Sequence, residues 1–135
     1  MRYLHTMLRV KDLDKSLAFY QEVLGFRIQR RNDYEAKQFS LVFLTAPGDT
    51  EDGPTLELTY NWDRETPYAR GDAYGHLAYE VDSLKDLGRK LKAAGLSFSW
   101  GPGKTPGGGR GMAFLEDPDG NEIELLEKAP TSATL

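Results

Sequence analysis

One block of the chain is written twice, and that repetition restricts the available folds more than any other feature. LHTMLRVKDLDKSLAFYQEVLG lies at the start, and GHLAYEVDSLKDLGRKLKAAG opens the second half. Aligning His5 with His76 also aligns Leu8 with Tyr79, Val10 with Val81 and Leu13 with Leu84. Internal self-similarity of this kind decides the architecture before local propensity does. In the first copy, residues 3–10 alternate, with Leu4, Thr6, Leu8 and Val10 on one face and Tyr3, His5, Met7 and Arg9 on the other. A period of two predicts a strand. Asp12 then suits a helix N-cap, and Leu13, Leu17, Tyr20 and Leu24 form a helical stripe that Gly25 ends. In the second copy, Leu77, Tyr79 and Val81 oppose His76 and Ala78. Ser83 with Asp86 reads as a capping box, and Leu84, Leu87, Leu91 and Ala94 form the stripe before Gly95.

Each block is followed by three strand-like runs. In the first half these are a weak run at 26–31, a turn at Asn32 and Asp33, a strong run at 38–46, a breaker-rich loop at 47–54 and an alternating run at 55–62. The last run sets Leu56, Leu58 and Tyr60 against Glu57, Thr59 and Asn61. Residues 63–74 form the connection between halves. The second half continues with a weak run at 96–100, a Gly-rich loop at 101–110, a strong run at 111–116, a DPDG turn and a run at 121–127. The expectation is an α+β chain: one domain over residues 1–135, made of two βαβββ modules at 1–62 and 73–127. The tail from 129 has no periodicity and is expected to be loose.

Composition narrows the function. A net charge of −4, with no basic run longer than Arg30 and Arg31, leaves no footprint for nucleic acid. No apolar run approaches the length of a membrane span. Arg2, His5, Arg9 and Lys11 interrupt the N-terminus, so no secretory signal is expected and the cytoplasm is the expected location. The absence of cysteine rules out disulfides and thiolate metal ligands.

The only two histidines of the chain occupy equivalent places in the repeat. Glu57 follows His5 by 52 residues, and Glu124 follows His76 by 48. A lone strand histidine is more often a structural residue than a ligand, but two at matched positions change that balance. Each glutamate is flanked by apolar neighbours, Leu56 and Leu58 or Ile123 and Leu125. If those neighbours face the core, each carboxylate faces either solvent or a concave sheet. Inside a concave sheet it must be paired or bind a metal, because an isolated buried charge is costly. Two imidazoles and two carboxylates form a coherent nitrogen and oxygen ligand set for a divalent ion.

Two other motifs fail on spacing. GKT at 103–105 lacks the upstream glycine of a phosphate-binding loop, since Phe98 stands there, and Pro106 and the GGG run preclude the following helix. That loop reads as a flap over a substrate or as a connection. DPDGNE at 117–122 has its glycine at the fourth position, where a calcium loop needs it at the sixth, so it reads as a hairpin turn.

Over residues 3–127 the chain resembles glyoxalase I (lactoylglutathione lyase) in its compact bacterial form, of the vicinal-oxygen-chelate superfamily. The pieces that carry the resemblance are the first repeated block, LELTYNW around Glu57, AYGHLAYEV around His76 and AFLEDPDGNEIELLE around Glu124. The resemblance implies curved mixed sheets of paired modules around a metal site, at a homodimer interface with ligands from both chains. It makes His5, Glu57, His76 and Glu124 the metal ligands, with waters completing an octahedron. It places Arg9 and Asn61 on the glutathione part of a substrate and Lys104 near the glycyl carboxylate. The implied reaction isomerises the hemithioacetal of methylglyoxal and glutathione to S-lactoylglutathione, through an enediolate whose oxygens a metal stabilises. Glu124 is then the base, loosening from the metal as substrate binds, and Glu57 serves the opposite face of the substrate. The length favours nickel, with cobalt or zinc also compatible with the ligand set. Competing readings on the same fold are a metal-dependent dioxygenase or thiol-transferring resistance protein, and a drug-binding module without enzymatic activity. An acidic residue at Glu57 opposes the first reading, and four inward ligands at matched positions oppose the second. The thiol itself, glutathione or a relative, stays open at this point.

Overall fold

The computed structural model describes residues 1–129. It divides into two compact units, Met1–Ala69 and a second that begins at Arg70.

The first unit runs β1 (His5–Val10), α1 (Leu13–Leu17), β2 (Arg27–Tyr34), β3 (Phe39–Thr45) and β4 (Thr55–Asn61). Its sheet has the order β1-β4-β3-β2. β1 lies parallel to β4, and the other pairs are antiparallel. The alternation of β4 does what the sequence predicts. Leu56 and Leu58 are buried with Val10, Val42, Leu44 and the helical residues Leu13, Leu17 and Tyr20. Each such aliphatic side chain contributes about 1.5–3 kcal/mol by leaving water. The opposite face carries His5, Met7, Arg9, Glu57, Thr59 and Asn61 in the same alternation.

The helix begins as expected, with the Asp12 carboxylate accepting from Lys15 N at 3.0 Å. It then widens into a π-helical stretch, Ala18–Val23, in which Leu24 N reaches back to Phe19 O. The wider turn buries Phe19 beside Tyr20, at 5% and 1% exposure, and leaves Leu24 only half-buried. The simple stripe missed that shift. Gly25 takes φ +79 at the helix end, as expected.

The second unit runs β5 (Leu77–Val81), α2 (Leu84–Ala93), β6 (Trp100–Lys104), β7 (Gly111–Glu116) and β8 (Glu122–Glu127). Its order, β5-β8-β7-β6, repeats the first sheet, again with one parallel pair, β5 with β8. Leu84 and Leu91 of α2 are buried, as are Ala113, Leu115, Ile123 and Leu125. Ser83 Oγ caps α2 by accepting from Asp86 N. The Asp117 carboxylate accepts from the amides of Asp119 and Asn121, which makes the DPDG segment a hairpin turn.

Three local expectations are corrected. Asn32 and Asp33 are not a turn: β2 runs through them to Tyr34, and the turn is the 3-10 segment Glu35–Lys37 with Gln38 at φ +56. The Ser40 hydroxyl donates to Asp33 across the ladder, satisfying in a strand the side chain that would otherwise favour a turn, and it holds that carboxyl below its ordinary pKa. The sixth strand does not span 96–100 but starts at Trp100 and enters the Gly-rich segment. There Gly103 leaves room for the Trp100 ring, which a Cβ at that position would meet at 2.6 Å. Ala94 is exposed because it is already the C-cap of α2. The expected loose tail lies outside the described residues from position 130 onward.

Candidate metal centre

Parallel pairing of β1 with β4 sets Met7 opposite Glu57, and antiparallel pairing of β4 with β3 sets Glu57 opposite Phe43. His5, two residues before Met7, shares its face. The result is a close approach of His5 Nε2 to Glu57 Oε1, at 3.1 Å. The imidazole stands edge-on to Phe43, with ring centroids 5.6 Å apart and planes at 83°. Arg30 covers Phe43 from the next strand, its guanidinium 4.0 Å from the ring centroid. The other Glu57 oxygen, Oε2, accepts from the Thr59 hydroxyl at 3.1 Å. Glu57 is thus a carboxylate at 9% exposure with both oxygens engaged.

The second sheet repeats the arrangement. Ala78 lies opposite Glu124, and Glu124 opposite Phe114. His76, two residues before Ala78, brings its Nε2 to 3.4 Å from Glu124 Oε2. Its ring meets Phe114 at 5.5 Å and 74°. Trp100 takes the place of Arg30 over the phenylalanine, at 6.2 Å. Leu126 takes the place of Thr59, and Glu80 that of Arg9, with Glu80 accepting from Arg110 Nη2 at 2.9 Å.

The structure therefore joins His5 with Glu57 and His76 with Glu124. No third His, Asp or Glu joins either pair to complete a metal-holding group among the described residues. The donor chemistry fits a divalent ion. Neighbouring positions around an ion with ligand bonds of about 2.1 Å lie roughly 3 Å apart at right angles, close to the spacing within each pair. Two donors alone do not hold such an ion, so a complete site needs further donors.

The remaining expected residues are placed as follows. Arg9 projects from β1 opposite Thr59, exposed and without a side-chain partner among the described residues. Asn61 ends β4, and its Nδ2 donates to Tyr68 OH at 3.0 Å, with Arg64 over the Tyr68 ring. Lys104 ends β6, exposed, across from Gly111. The sequence reading missed Phe43, Phe114 and Thr59. A signal for the phenylalanines was present: 114 − 43 and 76 − 5 are both 71, so the rings keep the spacing of the histidines.

A fold of two βαβββ units, each with one His–Glu pair on an open sheet face, defines the class. The chain belongs to the glyoxalase/bleomycin resistance protein/dioxygenase superfamily, whose family model matches residues 2–125. It is 48% identical over 128 residues to a lactoylglutathione lyase of Neisseria meningitidis serogroup A, covering 95% of this chain and 91% of that one. It is 42% identical to the lactoylglutathione lyase of Haemophilus influenzae, over 100% of this chain and 98% of that one. Among solved structures it resembles the trypanothione-dependent glyoxalase I of Leishmania major, with TM-score 0.78, 40% identity and coverage of 94% and 86%. It also resembles glyoxalase I of Zea mays, with TM-score 0.86 and 34% identity, over 96% of this chain but 46% of the maize chain.

Proposed function

We infer that this protein is a lactoylglutathione lyase, which isomerises the hemithioacetal of methylglyoxal and glutathione to S-lactoylglutathione and so detoxifies methylglyoxal. The observation that carries this is the His–Glu pair set on the same strand row in both sheets. Its acidic member in the first sheet, Glu57, separates this set from the His, His, Glu pattern of the competing enzymes. The activity is metal-dependent, and the bound divalent ion supplies Lewis-acid stabilisation of the negative charge that develops on two adjacent substrate oxygens.

His5, Glu57, His76 and Glu124 are the residues that hold that ion, nickel by preference and cobalt or zinc as alternatives. The chain acts as a homodimer in the cytoplasm, with the two kinds of pair contributed by partner subunits. The maize relative supports this reading: this chain spans 46% of its length, so that chain has room for a second unit of the same size. The glutathione portion is held by Arg9, whose guanidinium suits a carboxylate, and by Asn61, with Lys104 near the glycyl end. Glu124 removes the proton from the sulfur-bearing carbon and returns it to the neighbouring carbon, while the hydroxyl proton of the first carbon passes to the oxygen on the second, so no proton is lost or gained overall. Glu57 faces the opposite side of the substrate.

The test is to strip the purified protein of metal, add back nickel, cobalt or zinc, and follow thioester absorbance with methylglyoxal plus glutathione. Thioester formation under at least one metal, greatest with nickel, is the expected result; none under any metal overturns the reading. Because the Leishmania relative is trypanothione-dependent, initial rates with several thiol adducts identify the thiol. Glutathione is expected to be fastest.

A further inference from the structure

The two His–Glu pairs match in row, partner ring and approach, but they differ at one contact. Glu57 Oε1 faces His5 Nε2 at 3.1 Å while Oε2 accepts the Thr59 hydroxyl, also at 3.1 Å. Glu124 Oε2 faces His76 Nε2 at 3.4 Å, and its other oxygen has no hydrogen-bond donor among the described residues. Thr59 pairs with Arg9 and Leu41 on the flanking strands, and Leu126 pairs in the same way with Glu80 and Met112. The residue two beyond the glutamate is therefore a hydroxyl donor in one sheet and an aliphatic side chain in the other.

We propose that Thr59 is a positioning residue that fixes Glu57 as the stationary carboxylate, while the aliphatic Leu126 leaves Glu124 free to move. This rests on the metal-holding reading above and explains an asymmetry which that reading requires but does not account for. A base must change position as it takes and returns a proton, whereas a holding ligand must not. Thr59 is suited to the task. It is at 9% exposure, so little water competes for Glu57, and its β-branched side chain is stiff at χ1 in a strand. Partners of this outer kind orient a ligand and raise metal affinity without touching the metal. The side-chain exposures agree with the assignment: 11% for the anchored Glu57 and 18% for Glu124.

The experiment compares wild type with Thr59→Val and Thr59→Ser, each loaded with nickel and titrated with a competing chelator. Valine keeps the shape and removes the hydroxyl, whereas serine keeps the hydroxyl and removes a methyl. A packing role ranks valine above serine; a positioning role ranks serine above valine. The expected result is a metal dissociation constant raised about tenfold or more by Thr59→Val and largely restored by Thr59→Ser. At saturating nickel, kcat of Thr59→Val is expected to fall by a smaller factor than its metal affinity. Wild-type metal affinity in Thr59→Val, or equal loss in Thr59→Ser, overturns the proposal while leaving the enzyme reading intact. A wild-type protein that binds none of the three metals fails the enzyme reading itself, and this proposal with it.

Discussion

Glu57 and Phe43 are cross-strand partners, and the ring of Phe43 carries the edge of His5 at 5.6 Å, so one strand row fixes both members of the first donor pair. Glu124 and Phe114 hold the same relation in the second sheet, with His76 at 5.5 Å. An apolar ring beneath each imidazole limits its tilt, and the parallel edge strand delivers its Nε2 to the carboxylate. The pairs are built by sheet register, with His76 on the residue that precedes β5, and preorganised groups on rigid elements are the kind that bind and catalyse.

The base assignment makes Glu124→Gln the most damaging conservative change. Glutamine keeps the volume but cannot take the proton. With saturating metal, kcat is expected to fall by about 10²–10⁴. Steady-state thioester formation measures it, and full retained activity removes Glu124 from the base role.

Arg9 is proposed to bind substrate and not to move a proton, and it is exposed and without a side-chain partner among the described residues. Arg9→Ala is expected to raise KM about tenfold to a hundredfold, corresponding to roughly 1.5–3 kcal/mol for a charged hydrogen bond, with kcat changed less. Initial rates over a range of hemithioacetal concentrations separate the two parameters.

Gly101 sits at φ +85, and a Cβ there would lie 2.9 Å from Met112 O and 3.2 Å from Ala113 Cα. Both obstacles are backbone and cannot swing away. Gly101→Ala is therefore expected to destabilise the protein by about 2 kcal/mol or more, from left-handed strain plus the clash. Urea denaturation measures the loss.

Tyr74 supplies a pH dependence. Burial, with the nearby Asp117 and Glu122 carboxylates, raises its pKa above the ordinary 10.0, and its hydroxyl donates to Glu122 O at 3.1 Å. A raised folded-state pKa means that the unfolded chain loses this proton first. Stability from this group is thus complete below about pH 10 and is lost as pH climbs from there through the folded value. Tyr74→Phe is expected to flatten that alkaline decline in denaturation midpoints measured from pH 8 to 11.

Much of this was legible in the chain because the repeat carried it. His5, Glu57, His76 and Glu124 stood out by equivalence, and the βαβββ order followed from alternation and the glycines that close each helix. The misreadings have local causes. Asp33 has turn chemistry, yet Ser40, reached only once β2 and β3 are paired, satisfies it in a strand. Gly101, Pro102 and Gly103 read as loop, yet the glycine at 103 is what lets Trp100 lie over its own strand. Thr59 looked like ordinary strand composition. Its meaning depends on where the Glu57 oxygens point, and no periodicity encodes that.

In the proposed function, His5 and Glu57 together with His76 and Glu124 hold one ion. The most direct test is nickel stoichiometry and affinity in wild type and in His5→Ala, Glu57→Ala, His76→Ala and Glu124→Ala, each measured by chelator competition on the loaded protein. About one ion per chain in wild type and a large loss of affinity in all four variants are expected, since each removes a ligand from the same site. Full wild-type nickel affinity in a variant of either pair, with the other pair's variants impaired, contradicts it.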